Sequence, residues 1–160
     1  MPIQQKIVPN LWFDFNGEEA VRFYLSVFDN SRILHTAHYL KDSPGPEGAV
    51  MVIEFELDGQ KFTAINGGPQ FPFTEAVSLL IECADQKEVD RYWNALLAGG
   101  GEPGRCGWLK DRFGLSWQVN WTPLTHMLTD SDEEKAGRAM KSMLTMQKLD
   151  AAALQKAFDG

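Results

Sequence analysis

The chain has 160 residues, a net charge of −7 and two cysteines. Its length suits one domain, or two fused half-domains, with a core that needs no covalent staples. The acidic balance, with no run of Lys or Arg, excludes nucleic acid and anionic membrane surfaces as partners.

Ile7 to Phe15 is a short apolar run rich in β-formers, which predicts a strand. Gly17 to Phe28 carries apolar residues at 20, 21, 24, 25 and 28, a helical stripe. Asn16 is placed to cap that helix, with Glu19 at the position of a capping-box partner. Arg32 to Tyr39 reads as a second strand, and Lys41 to Gly48 as a loop. From Ala49 to Leu57 the residues alternate, with Met51, Ile53, Phe55 and Leu57 on one side and Glu54 and Glu56 on the other. Asp58-Gly59 predicts a hairpin into a strand from Gln60 to Asn66. The first half is therefore βαβββ.

Gly67-Gly68-Pro69 breaks the chain, and the pattern starts again. Ala76 to Cys83 reads as a strand and Gln86 to Leu97 as a helix capped by Asp85, with Ala98 to Gly101 as its stop. A short strand near Glu102 to Trp108, a turn at Asp111 to Gly114 and a strand from Leu115 to Trp121 follow. The repeat is visible residue by residue. Phe15-Asn16-Gly17-Glu18-Glu19-Ala20-Val21-Arg22-Phe23-Tyr24 matches Ala84-Asp85-Gln86-Lys87-Glu88-Val89-Asp90-Arg91-Tyr92-Trp93, each with an Asx cap, a Glu at the third helical position and an Arg before two aromatics. One supersecondary unit is built twice. The expected domain is a single α+β body: module one at 1–67, module two at 74–121 and a helical tail at 122–160. In the tail, Ser131 to Glu134 forms a capping box before a helix with Ala136, Met140, Met143, Leu144 and Gln147 on one face. Asp150 caps a last helix that turns Leu154 and Phe158 inward.

Cys83 lies in an apolar run and reads as a small buried hydrophobe, while Cys106 lies in a turn between Gly104 and Gly107. Neither pattern is that of a metal site or of a disulfide framework. Met1 to Lys6 has no apolar signal region and no apolar run is long enough to span a bilayer, so a cytoplasmic location is expected. No nucleotide-phosphate loop, G-x-S-x-G elbow or Cys/His nucleophile signature occurs.

Duplicated βαβββ modules resemble the vicinal oxygen chelate superfamily, which includes glyoxalase I, extradiol dioxygenases and bleomycin-resistance proteins. Trp12-Phe13-Asp14, Glu19 to Phe28, Leu57-Asp58-Gly59-Gln60, Asn66-Gly67-Gly68-Pro69 and Cys106 to Gln118 are similar to the PhnB-like family, many of whose members carry the label demethylubiquinone methyltransferase. The resemblance extends over nearly the whole chain, tail included. It implies a homodimer, with a ligand cleft between the modules. In metal-using members, His or Gln on the first strand of each module and Glu on the last bring four ligands to one ion. By the resemblance and the sixty-nine-residue offset, these positions fall at Pro9, Ser78, Ala64 or Ile65, and Gln118. Pro, Ala and Ile cannot ligate through side chains, and Ser and Gln are poor neutral ligands, so no metal and no other cofactor is expected. His35 and His38, three apart on a strand, are expected to face opposite sides, and His126 lies outside both modules. The methyltransferase label has no matching cofactor loop, because Asn66-Gly67-Gly68-Pro69 leads into Phe71-Pro72-Phe73 and not into a helix.

The positive features are aromatic and polar. Trp12, Trp108 and Trp117 are expected on facing strands, with Asn10, Asn66, Ser78, Lys110 and Gln118 as hydrogen-bonding groups. The expected ligand set is Trp12, Asn66, Ser78, Trp108, Lys110 and Gln118. Three functions fit: a metal-independent binder of a small hydrophobic or aromatic molecule, an enzyme of the superfamily acting by methyl transfer, isomerisation or lysis, or a dimeric interaction module whose tail docks on a partner.

Overall fold

The computed structural model describes residues 5–160; the start of the segment read for a signal peptide lies outside them. The described residues form two compact units that divide between Phe73 and Thr74.

In the first unit, β1 (Asn10–Phe13), α1 (Gly17–Val27), β2 (Arg32–His38), β3 (Val50–Leu57) and β4 (Gln60–Asn66) follow in the expected order. They make a four-stranded sheet in the order β1-β4-β3-β2, with β1 and β4 parallel and the other pairs antiparallel. The β3–β4 turn is the predicted Asp58-Gly59, both with positive φ (47° and 76°), as a tight hairpin requires. Helix α1 lies on β3 and β4 and buries Ala20, Val21, Tyr24 and Val27 against the alternate side chains Ile53, Phe55, Leu57 and Ala64. The strand period of two sends their neighbours to the other face.

The first helix is not capped as expected. Asn16 is the N-cap residue but makes no side-chain cap bond. The Gly17 amide donates to the Oδ1 of Asn66 instead, at 2.9 Å. A Cβ on Gly17 would stand 2.7 Å from that oxygen, so the approach needs glycine. Asn66 Nδ2 donates to the Val50 carbonyl at 3.1 Å, and the Asn66 carbonyl accepts from the Tyr39 hydroxyl. The side-chain amide of Asn66 thus ties the end of β4 to α1 and β3, and its backbone carbonyl ties it to the loop after β2.

The second unit repeats the topology. β5 (Ser78–Cys83), α2 (Gln86–Leu97), β6 (Glu102–Pro103), β7 (Trp108–Lys110) and β8 (Ser116–Trp121) form a sheet ordered β5-β8-β7-β6. Here the cap is as expected: Asp85 accepts from the Glu88 amide at 2.9 Å, while Glu88 accepts from the Ala84 amide at 2.7 Å. The strand expected at Glu102 to Trp108 is split in two. Cys106 and Gly107 both take positive φ (56° and 84°), which breaks the ladder and starts β7 at Trp108. The β7–β8 hairpin is held by Asp111. Its Oδ1 accepts from the amides of Phe113 (2.8 Å) and Leu115 (3.1 Å), and its Oδ2 from the indole of Trp117 (2.9 Å). Asp111 is only 3% exposed, and each donor offsets part of the cost of burying its charge.

The tail opens with one more helix than expected. A helix the sequence reading missed, α3 (Thr122–Leu128), follows β8 directly, with Pro123 in its first turn. α4 (Glu133–Met143) is capped by Asp132 and not by Ser131, and α5 (Ala151–Asp159) by Asp150 as expected. The buried residue of α4 is Ala139, whereas Met140 and Leu144 of the expected apolar face are exposed. Between α4 and α5 the chain runs along the β6–β7 link: the Cys106 amide donates to Met146 O (2.9 Å) and the Gly107 amide to Gln147 O (2.7 Å). Gln86 of α2 completes the attachment, donating to Leu149 O (3.0 Å) and accepting from the Ala151 amide (2.7 Å).

Asp111→Ala leaves three donors without their acceptor, one of them a buried indole, and is expected to cost about 2–4 kcal/mol in urea unfolding. A loss below about 1 kcal/mol would show that the hairpin does not rely on this carboxylate.

Candidate functional site

In the second unit, the face of the sheet turned away from α2 is built in rows by the strand register. Ser78, Ser116 and Lys110 are opposite one another on β5, β8 and β7. The next row is Leu80, Gln118 and Trp108. Between the rows, Gln118 Nε2 donates to Ser78 Oγ at 2.9 Å. Lys110 reaches beyond the row to an ion pair with Glu75, on the chain leading into β5. That contact holds the Glu75 carboxyl below its ordinary value and raises the Lys110 ammonium. Ser116 is 1% exposed, and its hydroxyl has no hydrogen-bond partner among the described residues.

Four of the six expected ligand residues, Ser78, Trp108, Lys110 and Gln118, therefore share one face of one sheet. The reading missed Ser116 and Glu75. Ser116 had a signal, since it sits two residues before Gln118 on the same strand; Glu75 had none, because only tertiary folding brings it to Lys110.

The other two expected residues belong to the first unit, and the structure separates their roles. Trp12 lies on the face turned away from α1, opposite Ile65. Its indole donates to Gly68 O at 2.9 Å and meets Phe71 edge-on at 4.9 Å. A Cβ on Gly67 would stand 2.2 Å from the ring, so the Asn66-Gly67-Gly68-Pro69 motif is a cradle for this tryptophan. Asn66 corrects the expected ligand set. It faces α1, is 3% exposed and has both polar side-chain atoms engaged in the fold. Trp117, expected on a facing strand but outside the ligand set, is 3% exposed on the helix side, bound to Asp111.

The metal positions implied by the resemblance do not suit a divalent ion. Ala64 is buried towards α1, and Ser78 and Gln118 bond to each other. In the first unit the polar cross-strand pair is Asn10 and Thr63, with Thr63 Oγ1 donating to Asn10 Oδ1 at 2.6 Å. Among the described residues no three His, Cys, Asp or Glu side chains converge as metal ligands would. His35 and His38 do not face opposite sides of the sheet as expected. Two register shifts in β2 place His35 opposite Glu54 and His38 opposite Val50, so both lie over one face of β3. They remain three residues apart, about 10 Å of strand. Methyl-donor chemistry finds no glycine-rich strand-to-helix turn either: β1 leads to α1 through Asp14-Phe15-Asn16, and β5 to α2 through Ala84-Asp85.

A groove of about 660 Å³ lies elsewhere in the second unit, beside α3 and α5. Its Glu82 already accepts from Asn120 (3.2 Å) and Thr122 (2.9 Å), and its Glu88 from the Ala84 amide. Those carboxylates serve the fold.

Residues 5–120 match the family model described as 3-demethylubiquinone-9 3-methyltransferase. The chain belongs to this family. A PhnB protein of Bacillus cereus is similar, at 36% identity and a TM-score of 0.66, over 73% of this chain and 99% of that one. Protein PA1353 of Pseudomonas aeruginosa is similar at 25% identity and a TM-score of 0.60, over 74% of this chain and 98% of the other. The fosfomycin resistance protein FosX of Mesorhizobium loti shares the fold, with 16% identity and a TM-score of 0.57 over 81% of this chain and all of its own. The two-module fold is thus that of the glyoxalase or vicinal oxygen chelate superfamily. No curated protein matches the chain. The expectation that the family resemblance includes the tail is corrected, because the 3-demethylubiquinone-9 3-methyltransferase match stops at residue 120, before α3.

Burial pushes the Cys83 thiol up to about 12, and the nearby Glu88, Glu82 and Asp85 carboxylates add to the shift. A thiol so raised stays protonated and unreactive through neutral pH. Native protein is therefore expected to release one equivalent of chromophore from a disulfide reagent at pH 8, from Cys106, and a second only after denaturation. Two fast equivalents in the native state would contradict the burial of Cys83.

Proposed function

We propose that this protein binds a small aromatic or hydrophobic molecule, without a metal, on the sheet face of its second unit. The observation that carries this reading is the grouping of Trp108 and Leu80 as apolar surface around the hydrogen-bonded Ser78–Gln118 pair, with Lys110 at the border. An apolar wall with a few fixed polar groups is the usual make-up of a small-ligand site. The neutral Ser–Gln pair where metal-using relatives place ligands favours direct contact over metal bridging. Methyl transfer, the activity in the family's name, has less support in this chain's residues for want of a recognisable methyl-donor loop.

The test is a thermal-shift screen of neutral aromatic compounds on chelator-treated protein. A binder is expected to raise the Tm and quench tryptophan emission, and to do so equally with and without chelator. Trp108→Ala should weaken the binding roughly tenfold, as loss of an aromatic anchor does. A shift that vanishes on chelation would sink the metal-free reading, and one untouched by Trp108→Ala would sink the location.

A homodimer is a second proposal, favoured by the exposed Met140 (40%) and Leu144 (56%) at the end of α4. Light scattering at micromolar concentration should give twice the 18.0 kDa chain mass, and Met140→Lys with Leu144→Lys should shift it towards the monomer. A monomeric wild type would refute the proposal.

A further inference from the structure

The Ser116 hydroxyl is a polar atom in the wrong place for a resting fold. Buried polar groups are nearly always hydrogen-bonded, and one that is not calls for a partner. Its row neighbour Ser78 accepts from Gln118, and its other row neighbour, Lys110, is held by Glu75. Ser116 begins the central strand β8, and the Glu75–Lys110 pair joins the chain before β5 to β7, the two strands that flank β8. The ion pair therefore spans from the β5 side to the β7 side near the start of β8, next to the row of Ser116. Its two side chains are 60% and 38% exposed, so solvent weakens the bond and its opening is cheap.

We propose that the Glu75–Lys110 pair is a latch over Ser116, and that the molecule bound on this face is a small aromatic carboxylate. The inference rests on the binding reading above and names its ligand class. The ligand's carboxylate takes the place of Glu75 on Lys110 and accepts a hydrogen bond from Ser116. Exchanging one carboxylate for another keeps the Lys110 charge paired, while the hydroxyl gains its missing acceptor. The geometry matches the class. The Lys110–Ser116 row and the Trp108–Leu80 row are two residues apart along the strands, about 7 Å. A single aromatic ring bearing a carboxylate spans that interval, with its ring against Trp108 and its oxygens at Lys110.

Titration calorimetry with benzoate and its neutral isostere benzamide tests this on the full chain. Benzoate is expected to bind roughly tenfold more tightly than benzamide, the scale of one charge-assisted hydrogen bond. Glu75→Gln removes the internal competitor and should tighten benzoate binding with little effect on benzamide. Ser116→Ala should weaken benzoate binding without lowering the Tm of the free protein, since it deletes a group that has no bond to lose. A merely structural Ser116 would lower that Tm and leave the benzoate-to-benzamide ratio unchanged. Equal affinity for benzoate and benzamide, with both lost in Trp108→Ala, overturns the latch and leaves the binding reading standing. Weaker benzoate binding in Glu75→Gln also overturns it. Binding of neither compound, and of no aromatic in the wider screen, overturns both.

Discussion

The carboxylate of Asp111 is the constraint on which the candidate site depends. Two backbone amides and the Trp117 indole converge on it, so the β7–β8 turn has one shape and the hairpin one register. A slip of one residue would exchange the two faces of β8. The bond to Trp117 pins that side chain to the helix side, and alternation then sends Ser116 and Gln118 to the opposite face. Trp108 and Lys110 follow through their pairing with β8. A buried carboxylate would be a liability without those donors; with them it specifies which side of the sheet carries the chemistry.

The two units repeat a topology but not the means of fixing it. The first uses the neutral amide of Asn66, which both accepts and donates, to join α1 to β3 and β4. Its outer face carries Trp12, clamped by Gly67 and Gly68, and the Asn10–Thr63 pair. The second has a charged clasp, and its outer face carries the Ser78–Gln118 pair, the half-buried Trp108 and an ion pair. A duplicated scaffold has thus kept its helix-side packing while the other face diverged, since only packing is demanded by the fold.

The tail is built onto the second unit by backbone bonds as much as by apolar contact. Gly107 must be glycine because its φ is positive and a Cβ there would meet Val119 O at 2.8 Å. Its amide, with that of Cys106, is free to bind residues 146–147 because the β6–β7 link has left the ladder. Gln86 then grips the start of α5 from both sides. The family match ends before these elements, so they extend the shared fold and do not define it.

The sequence by itself determined the βαβββ repeat, the Asp58-Gly59 hairpin, the Asp85 and Asp150 caps, the burial of Cys83 and the family. Each is written in local periodicity or in a few adjacent residues, where propensity and turn chemistry act. The common sheet face of Ser78, Trp108, Lys110 and Gln118 was legible for the same reason, since strand parity sorts faces. The tertiary structure alone decided that Asn66 replaces Asn16 at the head of α1, that bulges turn His35 and His38 to one face, and that Glu75 meets Lys110. These depend on partners 20 to 50 residues away or on an irregular register. A hydrogen bond between distant residues leaves no period in the chain, so only the folded geometry reveals it.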